Sequence, residues 1–447
     1  MWSKQAGVAL LMFILFFPQP AKSLSLIRDA ETEGYLKLLA TPVLQAAKLN
    51  PDHVKIIIVN SSVINAFVAG GQNIFLHTGL IIQDEKDPAQ LIGVIAHEVG
   101  HILGGHLIRK RQELEDVSLE ATLTSLLGIA SMALGAVEAG NAIFSGGQHV
   151  AQRHLLKYSR SHEEAADQTA LHLLEEVGVS PRGILSLLQF LMAEETVALD
   201  EKNSYRRTHP LSQERVMHVR STLERKPDLD RPSPQKLQLL HRRIVTKLKA
   251  FLRPPSQVLQ EYRGDSVNDR YARAIALYRV PDIEKALTEI NGLIEDYPKD
   301  AYFHELKGQM LFEHSRIKES IPAYRKAFEL APSSQLIRME LAVAQMATEE
   351  DEGYKEAVDH LEYVVVSDSR NGYAWYQLGI AYGRMDNLAM SYVALAEAAR
   401  LRNKIKEAKE YLALAERYLK EDKGDDRGSA WLRFNDVKQA VKQNKKR

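Results

Sequence analysis

Apolar positions in the first part of the chain follow strand-like patterns interrupted by glycine. Residues 55–59 (KIIIV) form an apolar, β-branched run, which is typical of a buried strand. Residues 63–68 and 74–77 flank Gly70-Gly71, and this pattern predicts two strands joined by a glycine turn. We therefore expect a small β-sheet near the amino terminus.

A helix is predicted directly after these strands. Asp87 is a typical N-cap residue, Pro88 suits the first helical position, and Gln90 is placed to reach back to the cap. The helix then carries a broad apolar stripe made of Leu91, Val94, Ile95, Val99 and Ile102. One face of this helix should therefore lie in the core.

The chain after about residue 266 has only helical patterns, and they repeat. Pro298 and Pro332 are separated by one period of about 34 residues. Gly308 and Gly379 are separated by two such periods and three extra positions, which we expect at 349–351. The clearest copy contains Trp375, Leu378, Gly379, Tyr382, Ser391, Leu395 and Ala398. These residues resemble the tetratricopeptide repeat, in which stacked helix pairs bury a continuous core, and residues 404–420 and 430–442 are expected to be capping helices.

These patterns predict a division into residues 1–23, 24–225, 226–265 and 266–447. Residues 226–265 are expected to be a proline-rich linker around one basic helix, whose charges we interpret as a solvated face. Residues 121–137 form an uncharged stretch that is marginal for a membrane span of about 20 residues. The role of 121–149 stays open between a buried helical hairpin and an apolar segment that touches membrane or substrate.

Residues 1–23 predict an export signal. Lys4 precedes an apolar run from Gly7 to Phe17, and Ala21-Lys22-Ser23 predicts cleavage after Ser23. An uncleaved anchor is the alternative. The chain has no cysteine, which suits a bacterial periplasm and excludes disulfide frameworks and thiolate zinc sites. Lys plus Arg and Asp plus Glu each number 58, so the chain lacks the basic excess typical of nucleic-acid partners.

The motif His97-Glu98-Val99-Gly100-His101 contains the candidate chemistry. Residues four apart share one helix face, so His97 and His101 can both reach one metal ion. Glu98 lies about 100° around the helix, where it can take a proton from an attacking water. Two structural histidines on a helix are the alternative. His106 is off the ligand face, and we interpret it as structural.

A catalytic zinc needs a third protein ligand. The downstream candidate is Glu163 in the segment SRSHEEAAD, with Asp167 four residues later on the same helix face. Asp167 can then accept the second ring N–H of a ligating histidine and fix its orientation. A surface acidic cluster is the alternative interpretation.

HEVGH, SRSHEEAAD and residues 64–80 (INAFVAGGQNIFLHTGL) resemble the HtpX/Ste-type family of zinc metallopeptidases. With the export signal and the carboxy-terminal repeats, the chain is most similar to the BepA-like periplasmic branch. The resemblance implies a mainly α fold: a zincin-type α+β protease domain with a small sheet, followed by an α-solenoid of tetratricopeptide repeats. It also implies one Zn²⁺ per subunit, held by His97, His101 and Glu163.

Arg207-Thr208-His209-Pro210 with Arg215 resembles a later element of the same family. Pro210 biases His209 toward an extended conformation, so His209 is expected on a loop. Three roles stay open for His209: it stabilises the oxyanion with Arg215 beside it, it occupies the open position on zinc and holds the protease off, or it has no catalytic part.

The sequence therefore predicts an exported zinc endopeptidase that acts on misfolded or stalled envelope proteins. Glu98, Asp167, His209 and Arg215 are its candidate catalytic residues. The family resemblance adds a role in outer-membrane protein quality control and a possible contact of the repeats with the outer-membrane assembly machinery. Peripheral membrane contact is also open. The alternative is a chaperone or assembly scaffold in which the zinc site is secondary.

Overall fold

The computed structural model describes residues 25–106, 160–193, 208–280, 282–421 and 427–444. The predicted signal peptide and residues 121–149 lie outside the described residues. The amino-terminal part combines four short strands with helices around one apolar core. Its elements are β1 (Ser25–Ile27), α1 (Ala30–Ala46), β2 (Ile56–Asn60), β3 (Ala66–Ala69), β4 (Asn73–His77), α2 (Thr78–Ile81), α3 (Ala89–Leu103), α4 (Arg160–Glu176), α5 (Arg182–Ala193) and α6 (Gln213–Arg225).

The strands form one mixed sheet in the order β1-β2-β4-β3. β2 and β4 are parallel with Ile57 opposite Phe75, while β3 and β4 are antiparallel with Phe67 opposite Phe75. Gly70 and Gly71 adopt φ of 58° and 99° at the predicted turn, a conformation that glycine reaches without a steric penalty. Among the described strands, β3 pairs only with β4, so β3 forms an edge of the sheet.

Helix α3 begins two residues later than its predicted N-cap. Pro88 takes the cap position, and the Asp87 carboxylate accepts a hydrogen bond of 2.9 Å from the Ala89 N–H. Gln90 hydrogen-bonds with Gln83 among the described residues rather than reaching back to Asp87. The Asp87 side chain therefore still caps the first turn, although the helix begins at Ala89 and not at Pro88.

Glycine in the HEVGH motif lets two helices approach closely. A Cβ placed on Gly100 would lie 2.7 Å from the Ala166 carbonyl oxygen, so no larger residue fits between α3 and α4 without a shift. Ala166 is completely buried at this contact. The close approach brings the face of α4 that carries Glu163 and Asp167 against the face of α3 that carries His97 and His101.

The carboxy-terminal part consists of antiparallel helix pairs, as the repeat period predicts. The helices are α9 (Val267–Arg279), α10 (Ile283–Asp296), α11 (Ala301–Glu313), α12 (Ile317–Leu330), α13 (Gln335–Met346), α14 (Asp351–Ser367), α15 (Gly372–Arg384), α16 (Leu388–Leu401), α17 (Ile405–Glu421) and α18 (Arg427–Asn444). Gly308 packs against Tyr324, and Gly379 packs against Leu395 in the equivalent place. Helix α14 has 17 residues where α10, α12 and α16 have 14, so the three extra residues lengthen α14.

Residues 226–265 contain α7 (Gln235–Leu252) and α8 (Pro255–Glu261). The prediction of a solvated basic face on the linker helix is wrong, because the side chains of Lys247 and Lys249 are both only 3% exposed. Leu248 belongs to the core of the amino-terminal part, whereas Ala250 belongs to the core of the first repeats. Helix α7 is thus packed between the two parts, and its cations Arg243, Lys247 and Lys249 contact acidic residues from both.

Five charged residues form what we call the interdomain cluster: Asp29, Glu31, Arg243, Lys247 and Asp300. Lys247 Nζ lies 2.5 Å from Asp29 Oδ2 and 3.2 Å from Glu31 Oε2. Arg243 Nε lies 2.5 Å from Glu31 Oε1, and its Nη2 donates to Asp300 Oδ1 at 2.9 Å. The cluster joins the start of α1, helix α7 and the start of α11, so it ties the two parts together.

Within the part of the chain that the structure describes, no helix has both the length and the apolar character of a membrane span.

Candidate metal centre

The two histidines of the motif point to a common place, as the helical spacing predicts. Their Nε2 atoms lie 3.1 Å apart, and both rings are buried. Glu163 reaches the same place from α4, with Oε2 3.3 Å from His97 Nε2 and Oε1 3.3 Å from His101 Nε2. The three predicted metal ligands therefore present their donor atoms to one point.

A fourth donor comes from His209, which lies in a bend before α6. Its Nδ1 is 3.1 Å from Glu163 Oε1 and 3.4 Å from His97 Nε2. One donor atom each from His97, His101, Glu163 and His209 lies within 4.8 Å of the others, and we call these four residues the metal cluster. Four such atoms are the number that a tetrahedral zinc site uses.

Two histidines of the metal cluster have an oxygen partner on their other ring nitrogen. His97 Nδ1 lies 2.9 Å from Asp167 Oδ1, and His209 Nε2 lies 3.1 Å from the Ala66 carbonyl oxygen. Because a carbonyl oxygen only accepts, His209 donates from Nε2 in this contact, and in a neutral ring the lone pair is then on Nδ1, which is directed at the cluster. Such partners fix the ring orientation and the tautomer of metal-ligating histidines.

Arg215 connects several of the residues that surround the metal ligands. Its Nε and Nη2 donate to the two Asp167 oxygens at 2.6 and 2.9 Å, and its Nη1 lies 2.9 Å from Glu163 Oε2. The same Nη1 donates to the Pro210 carbonyl oxygen at 3.0 Å, next to His209. Arg215 therefore contacts the carboxylates of α4 and the backbone of the His209 segment at once. The guanidinium is buried, so these contacts are not weakened by solvent.

Glu98 is buried beside the cluster without joining it. Neither carboxylate oxygen has a hydrogen-bond partner among the described residues, and Oε1 lies 3.5 Å from His209 Nε2. Burial raises the pKa of Glu98 above its usual value, because the charged form loses its hydration. A buried carboxyl group with a raised pKa is suited to take up and return a proton near neutral pH.

The electrostatics of the site fit a divalent ion. Three buried carboxylates, those of Glu98, Glu163 and Asp167, face one guanidinium, so two positive charges are missing. Burial alone would lower the pKa of His97, but its contacts with Asp167 and Glu163 raise it to about 10. In the metal-free chain, the raised pKa values of His97 and Glu98 favour protons on both groups, and such protons reduce the excess negative charge. A divalent cation supplies the same two charges, and metal binding generally displaces such protons.

The pKa values of the other ligands suit a metal as well. Burial lowers the pKa of His101 well below its ordinary value, so the ring is neutral, as a ligand must be. Burial would raise the pKa of Glu163, but the contacts with His209, His101 and His97 hold it well below its usual range. Burial acts in the same sense on Asp167, and its hydrogen bonds with His97 and Arg215 lower its pKa to about 2.

Sequence spacing did not show where Arg215 and His106 act. One of the roles left open by the sequence has Arg215 beside an oxyanion, whereas its described contacts are with Asp167, Glu163 and the Pro210 carbonyl. His106, which the sequence predicts off the ligand face, does not belong to the metal cluster, and its Nδ1 lies 2.9 Å from His101 Nδ1. The only hint in the sequence is the pair Gly104-Gly105, which ends the helix just before His106.

Parts of the chain are similar in sequence to known peptidases. Residues 30–223 match the model of Peptidase family M48. The chain is 22% identical over 405 residues to the beta-barrel assembly-enhancing protease of Escherichia coli (strain K12), which covers 89% of this chain and 81% of that protein. It is 23% identical over 333 residues to the protein of the same name from Yersinia pestis, covering 73% and 68%. Among solved structures, MamA from Desulfovibrio magneticus RS-1 is 20% identical and covers 42% of this chain and 96% of that chain, with a TM-score of 0.30.

Proposed function

We propose that this protein, whose residues 30–223 match the model of Peptidase family M48, is a zinc endopeptidase of the bacterial periplasm. Its substrates are misfolded or stalled envelope proteins, whose peptide bonds it hydrolyses. The observation that carries the proposal is the convergence of His97, His101 and Glu163 beside Glu98, a buried carboxyl group without a hydrogen-bond partner among the described residues.

His97, His101 and Glu163 would hold the zinc ion. When bound, zinc supplies Lewis-acid chemistry and lowers the pKa of water to about 7. Glu98 takes the proton from the attacking water and returns it to the nitrogen of the leaving amine. Asp167 and Arg215 keep the ring of His97 and the carboxylate of Glu163 in place, so that the ligands do not have to reorganise.

The edge strand β3 is suited to hold the substrate as an added strand. Main-chain hydrogen bonds with the backbone of Asn65 to Val68 demand little of the substrate sequence, which agrees with a quality-control protease. In the described conformation, however, His209 donates to the Ala66 carbonyl oxygen, an acceptor on this same backbone.

The position of His209 in this conformation therefore supports a resting state of the enzyme rather than a role in stabilising the oxyanion. Its Nδ1 completes a set of four donors, and a closed four-ligand zinc is typical of structural sites. Its Nε2 at the same time occupies the Ala66 carbonyl oxygen. Both contacts end when the segment that carries His209 moves away, so one displacement frees the metal position and the strand edge together.

The repeats are proposed to recruit the substrates. The relatives named above are beta-barrel assembly-enhancing proteases, which suggests a role in the assembly or quality control of outer-membrane β-barrels. Residues 24–225 would then hydrolyse peptide bonds, while residues 266–447 would contact the outer-membrane assembly machinery or its clients. An export signal in residues 1–23, cleaved after Ser23, would place the protein in the periplasm.

Replacing the proposed base tests the function directly. We expect Glu98→Gln to retain zinc and to lower the rate of casein cleavage by about 10²-fold to 10⁴-fold, because only the proton acceptor is lost. Zinc content and cleavage are measured on the full chain, with Glu164→Gln as the control, since Glu164 is an exposed glutamate beside the ligand Glu163. Cleavage by Glu98→Gln at the wild-type rate would exclude the mechanism and favour a chaperone or scaffold.

A further inference from the structure

The end of helix α3 is built to fold a histidine back onto the metal cluster. Gly104 and Gly105 follow the last helical residue, and Gly105 has a φ of 61°, which turns the chain. A Cβ on Gly104 would lie 2.3 Å from His106 Nε2, so the imidazole of His106 occupies the space that glycine leaves. The His106 ring is only 2% exposed, and its orientation is therefore set by packing.

The folded-back ring contacts the ligand His101 on the side away from the metal position. His106 Nδ1 lies 2.9 Å from His101 Nδ1, and the ring planes meet at 74°. The other nitrogen of His101, Nε2, lies among the donors of the metal cluster, 3.3 Å from Glu163 Oε1. A ligand that gives its Nε2 lone pair to a metal carries its proton on Nδ1, so His101 donates to His106.

A second imidazole holds His106 in this position. The ring of His162 stacks on it with a centroid distance of 4.4 Å and an interplanar angle of 16°. His162 directly precedes the ligand Glu163 on α4, so the stacked pair links the end of α3 to the start of α4. His106 is thus enclosed between Gly104 and His162, and it can move little without moving a ligand-bearing helix.

We propose that His106 is a positioning residue that fixes the tautomer and the ring orientation of the ligand His101. It does for His101 what Asp167 does for His97, with the difference that His97 is paired with a carboxylate and His101 with an imidazole. The proposal rests on the proposed zinc peptidase function. Loss of such a partner typically lowers metal affinity by about 10-fold to 100-fold.

Two substitutions separate the hydrogen bond from the packing. His106→Phe keeps an aromatic ring between Gly104 and His162 but removes the acceptor, while His106→Asn restores an acceptor near the position of Nδ1. The zinc dissociation constant of each full-length variant is measured by competition with a chelator. We expect His106→Phe to weaken zinc binding by about 10-fold to 100-fold and His106→Asn to recover most of the loss. His172→Phe is the matched control, because His172 is exposed on α4.

Four outcomes distinguish positioning, packing and the proposed function. A weaker zinc affinity in His106→Phe, with recovery in His106→Asn and an unchanged melting temperature of both metal-free variants, supports positioning. Equal zinc affinity in His106→Phe and wild type overturns it, and so does a loss in both variants that follows a lower metal-free melting temperature, since that is a packing effect. Absence of zinc binding by the wild type would instead reject the proposed function, so the two failures are distinguishable.

The absorption spectrum of the cobalt-substituted protein gives a readout of ligand geometry that does not depend on activity. A shifted d–d band in His106→Phe, and a wild-type band in His106→Asn and His172→Phe, are expected if His101 changes its orientation. Gly104→Ala provides an independent variant, because its Cβ displaces the intact ring of His106. It should weaken zinc binding in the same direction as His106→Phe, and wild-type affinity in Gly104→Ala would contradict the proposal.

Discussion

The protein contains two buried polar clusters, which differ in how their buried negative charges are compensated. In the interdomain cluster, the carboxylates of Asp29 and Glu31 lie against the ammonium of Lys247 and the guanidinium of Arg243. In the metal cluster, three imidazoles and Glu163 direct their donor atoms to one point. The first cluster finds its cations within the chain, whereas the second leaves a place for a cation from outside.

This difference indicates that the interdomain cluster has a structural role and the metal cluster a chemical one. Buried ions are tolerated when opposite charges and hydrogen bonds satisfy them, and the interdomain cluster meets this condition with side chains from α1, α7 and the residues that precede α1 and α11. The metal cluster meets it only when protons or a metal ion supply positive charge. A site that is incomplete without a ligand can bind and exchange one, which a fully paired cluster cannot do.

Replacing Lys247, one of the two cations of the interdomain cluster, should produce the largest effect on stability. We expect Lys247→Met to lower the free energy of unfolding by about 3–5 kcal/mol, because Asp29 and Glu31 then lose a buried partner. Chemical denaturation of the full chain measures this change, with the exposed Lys318→Met as the control. The zinc affinity of the folded variant should stay at the wild-type value, and a parallel loss of zinc would show that the two clusters are not independent.

Removing one donor of the metal cluster should change activity rather than stability. If His209 keeps the enzyme closed for about 90–99% of the time, His209→Ala raises the rate of casein cleavage at saturating zinc by about 10-fold to 100-fold, and self-digestion becomes faster. The exposed His218→Ala is the control. A loss of cleavage by about 10²-fold would instead support an oxyanion role. Unchanged cleavage and unchanged release of zinc to a chelator would exclude both roles.

Most of the metal cluster could be predicted from the sequence. Positions four apart on a helix share a face, so HEVGH and the pair Glu163 and Asp167 predict their own geometry without knowledge of the fold. The repeats were predictable for a similar reason, because a regular period describes contacts between neighbouring segments. In both cases the partners are close in sequence or recur at fixed spacing.

The interdomain cluster could not be predicted from the sequence, because its partners are far apart in the chain. Tyr271 donates a hydrogen bond of 2.8 Å to Glu31, which lies 240 residues earlier. A short run of basic residues on a helix usually faces solvent, so nothing in the sequence indicated that Lys247 is buried. His209 is similar, since a single histidine before proline has no periodicity, and its approach to Glu163 depends on the fold of the segment before α6. Spacing along one element cannot report a contact between distant elements.

The smallest predicted effect concerns a carboxyl group next to the interdomain cluster. Glu305 is 4% exposed, its Oε2 lies 4.0 Å from Lys247 Nζ, and this oxygen has no hydrogen-bond partner among the described residues. Burial raises the pKa of Glu305 well above its ordinary value of 4.5; the charge of Lys247 opposes this shift and that of Glu340 adds to it. The charges around Glu305 are paired with one another, so the ionised form of its carboxyl group is left unsatisfied.

A raised pKa in the folded state sets the direction of the pH dependence. Below pH 4.5 the carboxyl group is protonated in both the folded and the unfolded chain, and as the pH rises the unfolded chain ionises first, so stability is lost until the folded pKa is passed. The slope is at most about 1.4 kcal/mol per pH unit. We expect the stability of Glu305→Gln relative to wild type to increase as the pH rises above the ordinary carboxyl pKa of 4.5, measured by denaturation at a series of pH values up to neutrality. The exposed Glu295→Gln should show no such change, and an equal pH dependence of Glu305→Gln and wild type would mean that Glu305 is ionised and satisfied, like the carboxylates of the interdomain cluster.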